Sequence, residues 1–142
     1  MIKKLWHTNS SSTTLLIRLM VGVVFISEGI QKFLYPALRG AGRFESIGLP
    51  NPEFLGSFVA TFEVVGGLLV LIGLFTRLAA LPLLIIMGVA MYTTKLPMFS
   101  IEGFWHMMHA SRTDFAMTLG SLFLLIMGAG AYSFDRLLMR RR

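Results

Sequence analysis

Two carboxylates, Glu28 and Glu63, stand inside runs of chain otherwise fit for hydrocarbon. Glu28 interrupts residues 15–35 (LLIRLMVGVVFISEGIQKFLY) and Glu63 interrupts residues 54–75 (FLGSFVATFEVVGGLLVLIGLF). An ionised side chain near the bilayer centre costs about 2.5–3.5 kcal/mol on insertion scales, so such a group normally faces a partner or a polar cavity. Lys32 follows Glu28 by four residues, shares its helical face and can pair with it. Glu63 has no basic residue within a turn and must find its partner on another helix. Glu63 could pass a proton and Lys32 could polarise a carbonyl oxygen, and these two are the candidate catalytic residues. The structural alternative is a carboxylate that only ties neighbouring helices together.

A second set of titratable groups lies at 95–114: Lys95, Glu102, Trp105, His106, His109, Arg112 and Asp114. If the helices gather into one bundle, Glu28, Lys32, Glu63 and this set converge on an outward-facing polar pocket, with Phe99, Phe104 and Trp105 at its mouth. Candidate substrate contacts are then Glu28, Arg18, Lys95, Trp105, His106, His109, Arg112 and Asp114. The spacing E-x3-H-x2-H, with Met98, Met107 and Met108 nearby, would suit a soft metal ion. Two histidines in a wet loop read more simply as interfacial or proton-carrying groups, so no metal site is assigned. Arg18 and Arg77 also read as topology anchors that snorkel to headgroups. The tail Arg140, Arg141 and Arg142 reads as a topology tag with lipid contacts.

These residues need a membrane scaffold. Of 142 residues, 55% are hydrophobic and only 14% charged, with a mean hydropathy of +0.72, beyond an ordinary soluble domain. About 20 apolar residues cross a bilayer. Four segments are expected to do so, at 13–34, 54–75, 78–94 and 114–131. The third follows the second through Thr76 and Arg77 alone, with Pro82 in its first turn. The connections 36–53 and 95–113 are long, and residues 101–110 have the composition of a short interfacial helix. Small residues for close packing fall at Gly22 and Gly29, Gly56 and Ala60, Gly66 and Gly67, and Ala116 and Gly120.

The fold expected is therefore an all-α membrane protein of one domain, an antiparallel up-down four-transmembrane-helix bundle. Lys3, Lys4, Arg18, Arg77, Arg136 and Arg140–142 fall on one side, and Lys32, Arg39, Arg43, Lys95 and Arg112 on the other, interleaved with acids. The positive-inside rule then places both termini and the basic tail 136–142 in the cytoplasm and both long loops outside, in a multi-pass protein of the bacterial inner membrane. The net charge of +6 follows from this topology and calls for no nucleic-acid partner. The absence of cysteine excludes a thiol–disulfide relay and Fe–S ligation. No Walker loop, nucleophile elbow or HExxH motif is present.

The stretch RLMVGVVFISEGIQKFLYP resembles the opening of the DoxX family. The segment FxxxGLPNPEFLGSFVATFEVVGGLLVLIGLFTRLAALPLLIIM resembles that family's core, and GAGAYSFDRLL its close. The matching positions are Arg18, Gly29, Lys32, Glu63, Gly73, Arg77 and Asp135, whereas Glu28 and the HMMH segment lie outside the pattern. The resemblance implies a four-helix membrane protein linked to thiosulfate:quinone oxidoreduction, oxidant or thiol detoxification, or quinone stress.

The leading expectation is a membrane subunit of a quinone-linked oxidoreductase, with no covalently bound cofactor. A quinone ring would sit near Lys32 and Glu63, and a partner protein would supply electrons. The alternatives are a scaffold or assembly factor for a partner complex, and a small-molecule or metal transporter, to which a homo-oligomer would be suited. The two halves show no sequence repeat beyond an acid in each of the first two spans.

Overall fold

The computed structural model describes Thr8 and residues 10–140. The expectations placed on Lys3, Lys4, Arg141 and Arg142 lie outside the described residues. The regular structure of the described residues is helical: α1 (Thr14–Leu34), α2 (Pro36–Arg39), α3 (Ala41–Ser46), α4 (Pro52–Ile72), α5 (Thr76–Ala90), a π turn (Met91–Lys95), α6 (Leu96–Glu102), α7 (Phe104–Ala110), α8 (Arg112–Met127) and α9 (Phe134–Arg140).

Local sequence explains the boundaries. Pro36 disfavours helix at the residue before it, and α1 stops there. Pro52 opens α4 at a position where its missing N–H costs nothing. The helix closes in a Schellman motif. Gly73, at φ 72°, donates to Val70 O, and Leu74 donates to Leu69 O.

Three stretches are long and apolar enough to cross a membrane: Thr14–Leu34, Pro52–Ile72 and Thr76–Glu102. The first two lie close to the expected segments. The third differs from the expected 78–94, because α5 continues through the π turn into α6 as 27 residues of unbroken helix. It also starts earlier, so Pro82 sits inside the helix rather than in its first turn. The expected segment 114–131 is helical only within Arg112–Met127. Those 16 residues rise about 24 Å, short of the ~30 Å hydrocarbon core, and Gly128 at φ 79° ends them. Short helices replace much of the expected loops: α2 and α3 within 36–53, and α6 and α7, broken at Gly103, within 95–113.

α1 packs along α4, α4 on α5, α5 on α8, and α8 back on α1. Val21, Phe25, Val70, Leu83, Met117 and Leu124 fill the space between them. Large apolar side chains also point outward, among them Leu16 and Val23 on α1, Ile85 on α5 and Ile126 on α8. Apolar groups facing both inward and outward are what a lipid surround requires. The small residues act as expected, except one pair. A Cβ on Gly22 would lie 2.9 Å from Gly67 O, one on Gly66 3.1 Å from Leu83 Cδ2, and one on Gly120 2.7 Å from Val21 Cγ2. Ala116 is exposed and takes no part in this packing.

The fold repeats an organisation that the sequence does not. A long helix carries a lysine towards its far end (Lys32, Lys95). A glycine break and a short helix follow before the return (Gly40 and α3, Gly103 and α7). A returning helix then supplies an acid to that lysine, Glu63 or Asp114.

Candidate functional site: the Lys32–Glu63 ion pair

Gly29 sets the site's geometry. A Cβ there would lie 2.7 Å from Ala60 O and 3.0 Å from Glu63 Cβ, so α1 and α4 touch backbone to backbone just below Lys32. At that distance the Lys32 ammonium reaches Glu63, with Nζ to Oε2 at 2.7 Å. The Glu63 side chain is 3% exposed and that of Lys32 12%. Glu28 stands at the rim, its carboxylate 3.9 Å from Lys32 and 44% exposed. One cation thus serves two acids, one sealed and one wet. The partner that the sequence left open for Glu63 is Lys32, the same lysine expected to pair with Glu28.

The second polar set does not join this pair. Lys95 Nζ bonds Asp114 at 3.2 Å and donates to Ala110 O at 2.9 Å. The π turn ends at Lys95, the kind of local widening that often accompanies a functional residue. His106 pairs with Glu102 at 2.7 Å, while His109 meets Arg112. Trp105 is 82% exposed and stacks edge-on with Phe104. Their helix, α7, packs on α6 and α8. The single convergent pocket expected from sequence is therefore resolved into separate pairs: Lys32 with Glu63, Lys95 with Asp114, His106 with Glu102, and His109 with Arg112. Among the described residues, no group of three or more His, Asp or Glu gathers as a metal site.

Arg18 stands at the other end of α1. It lies fourteen residues from Lys32, or ~21 Å along the helix. It does not snorkel. Only 2% exposed, it donates to Val70 O, Leu71 O, Ala129 O and Tyr132 O. These carbonyls lie at the C-terminal end of α4 and just beyond that of α8, and Val70 O also accepts from the Gly73 N–H. Asp135 completes the arrangement by accepting from the N–H groups of Phe75 and Thr76 at 2.7 and 3.0 Å, at the positive end of α5. Burial pushes the Asp135 carboxyl above its ordinary range, against the pull of those N–H groups and of Arg18. Gly73 leaves room for this lock, since a Cβ there would lie 2.8 Å from Arg18 Cζ. The described part of the basic tail, residues 136–140, lies in α9, whose Asp135 is bonded to the start of α5. No local pattern in the sequence signals that Arg18 and Asp135 serve the same helix junction.

Two surface clefts lie away from the ion pair. One, at the Arg18 end, has Ser10, Ile72, Phe134 and Arg136 among its lining residues. The other, at the Lys32 end, is walled by α2, α3 and the start of α4. Neither is lined by Lys32 or Glu63. Along the exposed side of α4, Phe54, Phe58 and Phe62 form a ring ladder with centroids 5.6 and 4.7 Å apart.

Comparison with known proteins adds a family and two relatives. The family model described as DoxX matches residues 13–96. An uncharacterized membrane protein of Mycobacterium tuberculosis, Rv3486, is 49% identical over 144 residues, covering 97% of this chain and 88% of its own. A protein of Bacillus subtilis named putative oxidoreductase CatD is 34% identical over 116 residues, covering 80% of this chain and 83% of its own. No solved structure matches.

Proposed function

Because the chain belongs to the DoxX family, we propose that it is a membrane subunit of a quinone-linked oxidoreductase system with the Lys32–Glu63 pair at its centre. The observation that carries this reading is a sealed acid bonded to an ammonium group, with a second, half-exposed acid on the same lysine. That is a proton path with a wet end and a dry end. Reduction of a quinone takes two electrons and two protons. The electrons come from a partner protein that carries a redox centre. Lys32 donates a hydrogen bond to one carbonyl oxygen as it gains negative charge; a proton taken from water by Glu28 passes to Glu63 and from it to that oxygen, and the second proton reaches the other oxygen from water. The ring reaches the pair from the bilayer along the phenylalanine ladder of α4. The name carried by the Bacillus subtilis relative agrees with redox work.

The scaffold proposed for this chemistry is a four-span antiparallel bundle in the bacterial inner membrane, with Arg18, Arg77 and Arg136 at the cytoplasmic end and Lys32 and Lys95 towards the outside. Lys95 and Asp114 are proposed as a ligand-facing pair of the second half. Arg18 is assigned to the structural lock and not to the ligand.

A second reading rests on the fit at Gly29. There Glu63 also fixes the register of α1 on α4, as it would in a scaffold that assembles a partner complex. Quinone-dependent electron transfer in native membranes separates the two. Glu63→Gln abolishes it with partner recovery unchanged on the first reading, whereas activity and partner recovery fall together on the second.

A further inference from the structure

The cleft at the Arg18 end has a composition that the redox reading leaves unused. Its volume is about 640 Å³, within the range of small-molecule sites. α9 places Arg136 and Arg140 on one wall, and the segment entering α1 places Ser10 and Ser12 on another. Ile72, Phe134 and Leu137 give the cleft an apolar wall, beside Tyr132 and Ser133. Among the described residues no acid lines the cleft, and the acid beside it, Asp135, is turned to the N-terminus of α5. Arg136 also donates to Ser10 O, which ties the two walls together. Ile72, Phe134 and Leu137 are exposed and continuous with the outward apolar side of α4.

We propose that this cleft binds one anionic phospholipid, with its phosphodiester on Arg136 and Arg140 and the start of its acyl chains on Ile72, Phe134 and Leu137. The match is of charge and of shape. Two guanidinium groups and two hydroxyls face a region that can hold a phosphate and its glycerol, and the apolar wall opens toward lipid. A soluble anion would use the cations and leave the apolar wall bare. A neutral lipid would use the wall and leave the cations unanswered. The bound lipid would hold α9 and the segment entering α1 against the Arg18 lock.

The test uses the full-length protein, purified and reconstituted in nanodiscs of equimolar phosphatidylglycerol and phosphatidylcholine with matched acyl chains. Lipid retained after extraction is counted by native mass spectrometry. Wild-type protein should keep one phosphatidylglycerol in preference to phosphatidylcholine. Arg140→Gln should weaken that preference about fivefold, and Arg136→Gln with Arg140→Gln by more than tenfold, while Arg140→Lys largely keeps it. Arg39→Gln with Arg43→Gln, at the opposite end, should leave it intact. Should the double variant fail to fold, Arg140→Gln alone decides, since among the described residues no hydrogen bond or ion pair holds Arg140. Equal retention of the two lipids by wild type would overturn the proposal. So would an unchanged preference in Arg140→Gln, or thermal stabilisation by glycerophosphate equal to that by phosphatidylglycerol.

Discussion

Lys32 on α1 bonds Glu63 on α4 at 2.7 Å, and the two side chains are nearly closed to solvent. Breaking a buried pair leaves one charge uncompensated, which costs more than never having had the pair. Glu63→Gln and Lys32→Met should each destabilise the detergent-solubilised protein by about 3–5 kcal/mol. Lys32→Met with Glu63→Leu should cost clearly less than the sum. Strict additivity of the single losses, read from unfolding curves, would show that the pair is not coupled.

Gly29 should tolerate no side chain. Gly29→Ala puts a methyl group 2.7 Å from Ala60 O and from Val64 Cγ2, so α1 must move off α4 at about 1–3 kcal/mol. Gly88 is the control, because a Cβ there meets nothing within 4 Å. Gly88→Ala in mid-helix should be neutral or stabilising, by up to about 1 kcal/mol. Equal effects of the two substitutions on the melting temperature would contradict the close α1–α4 approach.

Arg18 and Asp135 should behave as one unit. Arg18→Lys keeps the charge but cannot reach the four carbonyls that the guanidinium serves. Arg18→Met and Asp135→Asn should each lower stability, with a coupling of about 0.5–3 kcal/mol in a double-mutant cycle. Ligand binding at the Lys32 end should survive wherever the protein stays folded. A selective loss of ligand affinity in Arg18→Lys, without loss of stability, would move Arg18 back among the binding residues.

The exposed histidines should matter little to the fold. His106→Ala with His109→Ala should change stability by no more than about 0.5 kcal/mol, since both pair with local partners at the surface. Stoichiometric copper or zinc in the purified wild type, lost in this variant, would instead restore the metal reading of E-x3-H-x2-H.

Much of this was legible in the chain before folding, for identifiable reasons. The apolar runs and their breakers located α1 and α4 closely, because Pro36, Pro52 and Gly73 act on the backbone locally. The cost of a charge in hydrocarbon singled out Glu63 and required it to have a partner on another helix. Its identity as Lys32 depended on the α1–α4 contact at Gly29, which is tertiary. The third span was read too short because Lys95 and Pro97 look like an ending. A π turn and a proline at the start of α6 carry the helix past them. Arg18 was misjudged for a related reason. Hydropathy alone does not distinguish an arginine that reaches headgroups from one that satisfies the carbonyls of two neighbouring helix ends. The topological repeat was invisible because side-chain identity is not repeated, only the order of long helix, glycine break, short helix and returning acid.

Lys32 and Glu63 are proposed to hold a quinone-like ring. The most direct test is equilibrium binding of a short-chain quinone to purified protein in nanodiscs, compared across wild type, Glu63→Gln and Lys32→Met at a temperature where all three are folded. Saturable binding by wild type, weakened at least tenfold in both variants, is the predicted result. Absence of saturable binding to wild type, or undiminished affinity in folded Glu63→Gln, would contradict it.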